Sequence, residues 1–159
     1  HPFFEKVLTK AQYKKNFDRD TVIQILMLCE MSNEYDFGSF KNNDMNKFIL
    51  HYNELLVDSD KREQVLVKVD IIKDALDRLD NEFKDSIKIK NSSLSLCVYG
   101  MYRIIKDKKG TQKYIDWMKN FIETYNTNEQ YLVFCSSGTA NAENVKGRLQ
   151  YFRDAIRVM

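Results

Sequence analysis

One amphipathic stretch constrains this chain more than any other feature of its sequence. Large apolar residues recur there at steps of 4, 3, 4, 3 and 4, which places all of them along one stripe of an α-helix. These residues are Val65, Val69, Ile72, Leu76, Leu79 and Phe83. Most positions between them are charged, and no Pro or Gly occurs between Val57 and Tyr99. We predict one long central helix from about Asp60 to Lys84, about 36 Å in length at 1.5 Å per residue.

The composition favours a single all-α domain. With 159 residues, of which 43% are hydrophobic, the chain is long enough to bury one substantial core. Five Gly and one Pro are few, which favours long helices joined by short turns over a fold of many strands. No apolar run approaches the ~18 residues that a membrane helix needs. We therefore expect residues 1–159 to form one multi-helix bundle that makes no contact with a membrane.

The charge and the cysteine content limit which partners and which cellular compartment are compatible with this chain. The net charge of +2, from 25 basic and 23 acidic residues, is too balanced for a protein that coats nucleic acid, although it leaves room for a local basic patch. Cys29, Cys97 and Cys135 lie among apolar neighbours without a C-x-x-C pair, which indicates reduced thiols in a cytoplasmic protein. Because the chain opens with His1-Pro2, we expect a fragment of a longer polypeptide or a processed chain.

Further helices are expected before and after the long helix in the sequence. The periodicity and the cap residues predict them over about residues 19–32, 44–56 and 112–125, with another that begins at Ser92 or Ser93 and a last one from about Asn141. Residues 33–43 contain Gly38 and read as a loop. The apolar run at residues 131–135 suits a short strand or a buried helical turn equally well.

No group of residues forms a catalytic or metal-binding pattern. His1 and His51 are the only histidines, and no Cys–His spacing is typical of a zinc site. The carboxylates of the long helix are spaced to pair with neighbouring Lys and Arg, so we expect solvated ion pairs there. Ser136 and Ser137 lack the G-x-S-x-G setting of a nucleophile, and no glycine-rich phosphate motif is present. We expect no enzymatic activity, no metal and no cofactor in this chain.

The most suggestive segment is a small-residue loop that leads into the last helix. Such a loop exposes backbone amides at a helix N-terminus, where nearby cations could help to hold a phosphate of nucleic acid. The candidate contacts to phosphate or DNA are Ser137, Gly138, Thr139, Lys146, Arg148 and Arg153. The competing interpretation is an ordinary helix cap, with cations whose stems cover the core while their charges stay in water.

Several segments resemble one known family. They are HPFF at 1–4, DRDTVI at 18–23, MNKFIL at 45–50, and SGT at 137–139 followed by VKGRL at 145–149. Together with the long charged helix, they resemble the helical C-terminal part of GmrSD-type bacterial and phage-defence proteins, whose N-terminal half has a ParB/sulfiredoxin-like fold. The resemblance implies a modification-dependent restriction system that hydrolyses nucleotide through an Asp-Gly-Gln-Arg motif and often carries an HNH-type nuclease. Neither element occurs in this sequence, so no catalytic residue is carried over.

Two functions follow as expectations. The first is a non-catalytic helical domain that supports an absent nucleotide-binding ParB-like domain of the same polypeptide and contacts DNA through its last helix. The alternative is a self-contained helical protein–protein interaction module with no role in nucleic-acid binding. A homo-oligomer is compatible with both. An exposed apolar patch would separate them from a stand-alone monomer, since a solitary soluble domain rarely leaves one uncovered.

Overall fold

The protein is all-α wherever the structure describes it, which confirms the predicted fold class. The structure is a computed structural model, and it describes residues 1–31, 38–85 and 87–159. The α-helices are α1 (Pro2–Val7), α2 (Lys10–Lys14), α3 (Phe17–Glu30), α4 (Asn42–Val57), α5 (Ser59–Glu82), α6 (Asn91–Lys106), α7 (Thr111–Thr124), α8 (Glu129–Leu132) and α9 (Ala142–Arg157). A 3₁₀ turn, Tyr125–Thr127, joins α7 to α8. No helix among the described residues is both long and apolar enough to cross a membrane.

The central helix is α6. It contacts α3, α5, α7 and α9, and every residue from 93 to 102 is buried. Ser93, Ser95 and Gly100 are buried together with the large apolar side chains of the helix, because neighbours cover it on several sides. The prediction that the long charged helix is the central element is therefore not confirmed.

The long helix α5 lies beside α6 and follows the predicted stripe closely. It begins at Ser59, where the carboxylate of Asp58 caps it by accepting hydrogen bonds from two first-turn amides at 3.0 Å each. The apolar stripe is buried except for Val69, which is 41% exposed. Among residues 59–71 only Val65 is buried. The second half of α5 therefore belongs to the core, while its first half, with the end of α4, extends away from it.

The other predicted helices are present with small shifts in their ends. Helix α3 ends at Glu30. Of the predicted 33–43 loop, residues 33–37 lie outside the described residues, residues 38–41 are not helical, and the last two already belong to α4. Residues 131–135 form the end of α8 and a turn rather than a strand. Helix α9 begins after Asn141 and buries the predicted stripe. That stripe consists of Val145, Leu149, Phe152 and Ile156.

A close contact between α6 and α7 explains the glycine inside the central helix. The hydroxyl of Tyr114 donates a hydrogen bond to the Cys97 carbonyl oxygen at 2.6 Å, and its ring lies across Gly100. A Cβ atom at Gly100 would overlap that ring, so the small residue sets how closely the two helices approach. The neighbouring side of α7 faces α8 and α9 through an aromatic cluster in which Phe121 contacts Tyr131 and other rings edge to face.

Candidate functional site

The predicted phosphate-binding loop is held against α9 by a buried arginine. Arg148 is 1% exposed, and its guanidinium donates hydrogen bonds to the carbonyl oxygens of Phe134 and Thr139, each at 2.6 Å. The side-chain amide of Asn144 donates to two further loop carbonyls, those of Ser137 at 2.9 Å and Gly138 at 3.0 Å. Arg148 thus binds the loop from the inside. Its position does not support a role in contacting a phosphate from solvent.

The start of α9 does not favour an anion either. Ser137 and Gly138 are exposed, and Gly138 has φ +64°, a left-handed conformation that favours glycine. Glu143 lies in the first turn, where its carboxylate already offsets the positive end of the helix dipole. Thr139 is half-buried, and Lys146 is exposed on the first turns of α9. The loop therefore resembles an ordinary N-terminal helix cap, in which a carboxylate of the protein already interacts with the positive end of the helix dipole.

Arg153 lies apart from the loop, further along α9. Its guanidinium donates a hydrogen bond to the carbonyl oxygen of Met31, the residue that follows α3, at 2.9 Å. The structure therefore separates the predicted candidates into two places. Five of them belong to the beginning of α9 and the loop before it, whereas Arg153 belongs to a different surface near the other end of the helix.

That surface is a concave pocket, here named the cationic corner, where the C-terminal ends of α6 and α9 meet. It has a volume of about 290 Å³, and its lining residues are Arg103, Asp107, Lys109, Arg153, Ile156 and Arg157. Four of these side chains are cationic and one is a carboxylate. Sequence reasoning missed Arg103 and Lys109, because they lie more than 40 positions before Arg153 and no local pattern joins them to α9.

The side chains of the cationic corner are partly engaged with one another and with helix ends. Arg103 donates to the Asp107 carboxylate and to the Tyr99 hydroxyl, each at 3.1 Å. The Lys109 ammonium donates to the Ile156 carbonyl oxygen at 2.7 Å. Arg157 is the most accessible of the four cations, with its side chain 79% exposed. The pocket therefore combines three anchored cations with one that extends into solvent.

A second unusual surface lies where α4 turns into α5. Of the nine large hydrophobic side chains that are exposed in the described part of the chain, seven belong to these two helices. Four of them cluster in sequence around the connecting residue Asp58, and we name these four the hairpin tip. The hairpin tip consists of Leu56 (37% exposed), Val57 (88%), Leu66 (53%) and Val67 (53%). Contiguous exposed apolar patches mark surfaces that associate with other proteins, so the hairpin tip is a candidate for such a contact.

A polar cluster joins α3, α4, α5 and α6. Its side chains hold the helices together and do not supply a reactive group. The Tyr52 hydroxyl donates to the Glu30 carboxylate at 2.7 Å, and Lys68 forms an ion pair with the same carboxylate. Burial, reinforced by the nearby charge of Glu30, raises the pKa of Tyr52 and of the Cys29 thiol. Both groups therefore stay protonated at neutral pH and supply neither a base nor a thiolate. No group of three or more His, Cys, Asp or Glu residues that could bind a metal occurs in residues 1–31, 38–85 and 87–159.

The fold and its surfaces define a helical domain with an exposed apolar tip and a cationic pocket. No known protein family, curated protein or solved structure matches the chain.

Proposed function

We propose that this chain is a non-catalytic helical association domain that binds a second copy of itself through the hairpin tip. The observation that carries the proposal is the exposure of four apolar side chains within nine positions of Asp58, the residue that connects α4 to α5, led by Val57 at 88%. Burying their exposed parts on both copies would contribute roughly 10 kcal/mol before the cost of association. Because that cost is at least about 4 kcal/mol, we expect a weak dimer with a dissociation constant of about tens of micromolar or above.

The charges around the hairpin tip suit a contact between identical surfaces. Both signs of charge occur there, since Asp58, Asp60 and Glu63 lie close in sequence to Lys61 and Arg62. All five residues are exposed. In a twofold contact each patch meets a copy of itself, so a patch of one sign would repel its partner, whereas a mixed patch can form pairs with it. Two antiparallel helices from each copy would then form a four-helix contact around the apolar residues.

The test is the mass of the chain in solution, measured by sedimentation and by light scattering from about 5 to 500 μM, a range that extends on both sides of tens of micromolar. We expect the mass to rise from monomer to dimer over this range. Leu66→Lys should keep the chain monomeric at all these concentrations, with unchanged helicity and thermal midpoint, because Leu66 contributes little to the monomer core. Val133→Lys is the matched control, since Val133 is a 61% exposed apolar residue outside the hairpin tip. It should still form the dimer.

Two results would refute this function. One is a monomeric wild-type chain at the highest concentration. The other is a dimer whose affinity is the same with Leu66→Lys as without it, which would place the contact on another surface.

A second candidate function is a helical domain of a GmrSD-like defence protein that supports a nucleotide-binding domain and contacts DNA. It is favoured by the cations that α9 contributes to the cationic corner, Arg153 and Arg157. It predicts weak binding of duplex DNA whose salt slope steepens by about 0.9 for each neutralised phosphate. Filter binding at low salt measures this. A complete absence of retained duplex would exclude the DNA contact.

A further inference from the structure

We infer that the cationic corner is a binding site for a phosphate group carried by a small molecule, such as a phosphomonoester or a diphosphate. The pocket lies where the C-terminal ends of α6 and α9 meet, and the turn that follows α6 contributes Asp107 and Lys109 to its lining. With four cationic side chains and one carboxylate, its lining carries a formal charge of +3. This inference does not depend on dimer formation, which concerns different helices.

The structural roles of these cations leave part of their binding capacity unused. Lys109 has three N–H donors, of which one meets the Ile156 carbonyl oxygen. Arg153 has five, of which one meets the Met31 carbonyl oxygen. Capping of helix ends thus explains why single cations are present, but it does not explain why four converge.

Bringing four like charges together is unfavourable unless an anion offsets them. A concave site lined by one sign of charge focuses its field and concentrates counter-ions of the opposite sign. Asp107 supplies one negative charge and is paired with Arg103 at 3.1 Å. Asp154 lies near the rim, 3.7 Å from Arg157. After these pairs are formed, Lys109 and Arg153 have no carboxylate partner among the described residues, so the interior of the pocket stays positive.

Phosphate fits this arrangement better than other common anions. It carries a charge of about −1.5 to −2 at neutral pH and three strong acceptor oxygens, and arginine binds it through two parallel N–H groups. A volume of 290 Å³ lies at the small end of ligand pockets, which suits a terminal phosphate group and part of its carrier. The two carboxylates and the negative ends of α6 and α9 oppose the anion, so the expected affinity lies between micromolar and millimolar.

The experiment is a titration of the full 159-residue chain with inorganic pyrophosphate, followed by the backbone amide signals in two-dimensional NMR. We expect saturable shifts confined to residues 103–109 and 153–157. Arg157→Gln should weaken binding about tenfold, because it removes a charge-assisted hydrogen bond, and its high exposure should leave the fold unchanged. Lys109→Gln serves as a second variant, in the turn that follows α6. Arg62→Gln is the matched control, since it removes the same charge from an exposed site on α5.

Saturable binding that Arg157→Gln and Lys109→Gln both weaken, and that Arg62→Gln leaves within twofold, supports the site. Absence of saturable shifts with pyrophosphate would overturn it. An equal loss in Arg62→Gln would also overturn it, because net charge alone would then explain the binding. Competition with a short DNA duplex distinguishes the source of the phosphate. A duplex that binds these residues while pyrophosphate does not displace it would refute the small-molecule assignment.

Discussion

Arg148 shows why a charged residue cannot be assigned to the surface from its type alone. It lies one position before Leu149 in the buried stripe of α9, so its side chain starts close to the core. The sequence reveals a loop followed by a cation, but it does not reveal the direction of that cation. The direction follows from two half-buried loop residues, whose carbonyl groups accept hydrogen bonds from the guanidinium. The part of the site that sequence could predict is therefore the segment, and not the role of its arginine.

Replacing this residue tests its structural role. Arg148→Lys should lower the free energy of unfolding by about 2–4 kcal/mol, because one ammonium cannot reach both carbonyl oxygens and leaves a buried acceptor unsatisfied. Urea unfolding measures the loss. Hydrogen exchange should also become faster at residues 134–139. The exposed Arg62→Lys is the control and should change stability by less than about 0.5 kcal/mol. A stable Arg148→Lys variant with unchanged loop exchange would contradict this role.

Two buried serines of α6 should respond in opposite ways to the same substitution. The Ser93 hydroxyl is hydrogen-bonded to the Tyr131 hydroxyl at 2.8 Å, whereas the Ser95 hydroxyl is buried without a partner in the described residues. Ser93→Ala should therefore destabilise the protein by about 1–2 kcal/mol, since it leaves a buried phenol unpaired. Ser95→Ala should stabilise it by about 1 kcal/mol, because it removes an unsatisfied polar group and raises helix propensity. Thermal unfolding of the two variants gives the comparison, and shifts of the same sign would contradict it.

At the scale of the helix, periodicity predicts elements that bury one face and fails for an element buried all round. The ends of α5 were predictable because Asp58 provides a cap and the apolar stripe stops at Phe83. The central position of α6 was not, since its buried stretch includes Ser93, Ser95 and Gly100, which do not extend an apolar stripe. Their burial follows from the helices that cover them, and such contacts are not written in the local sequence.

This difference between α5 and α6 predicts a gradient of local stability. Amides at positions 94–104 of α6 should exchange with solvent only through global unfolding, because their residues are almost entirely buried. Amides at positions 62–70 in the first half of α5 should exchange through local opening at least about 100-fold faster, since Val65 is the one buried residue there. Native-state hydrogen exchange at low protein concentration, where the hairpin tip is unpaired, measures both sets. Equal protection of the two helices would show that the start of α5 is held as firmly as the core.

At the scale of the whole molecule, the two proposed surfaces have different origins in the sequence. The hairpin tip is local, since its four residues lie within twelve consecutive positions of the sequence. The cationic corner joins Arg103 and Lys109 to Arg153 and Arg157, which meet because α6 and α9 both contact the same core. Only the packing of the helices brings these charges together, so neither periodicity nor motif spacing could have indicated the pocket.

The interior as a whole predicts a steep loss of stability in alkali. Burial raises the pKa of Tyr102, Tyr114 and Tyr131 above the ordinary value of 10.0, and it raises that of the Cys97 thiol above 9.0. The folded protein therefore keeps protons that the unfolded chain releases. This contribution to stability is fully present below pH 9 and is lost as the pH rises through the unfolded values. Each group lowers the free energy of unfolding by about 1.4 kcal/mol for every pH unit above its unfolded pKa.

By pH 11 the summed loss reaches roughly 7 kcal/mol, which is comparable to the total stability of a domain of this size. We therefore expect the urea midpoint to fall from pH 9 upward and the chain to unfold near pH 11. Circular dichroism and the ultraviolet absorbance of tyrosinate should change together, since the buried phenols ionise only when the core opens. Tyr114→Phe removes one of these groups, so its stability should fall less steeply with pH than that of the wild type. If tyrosinate from the buried rings appeared before helicity was lost, these phenols would have to be accessible in the folded protein.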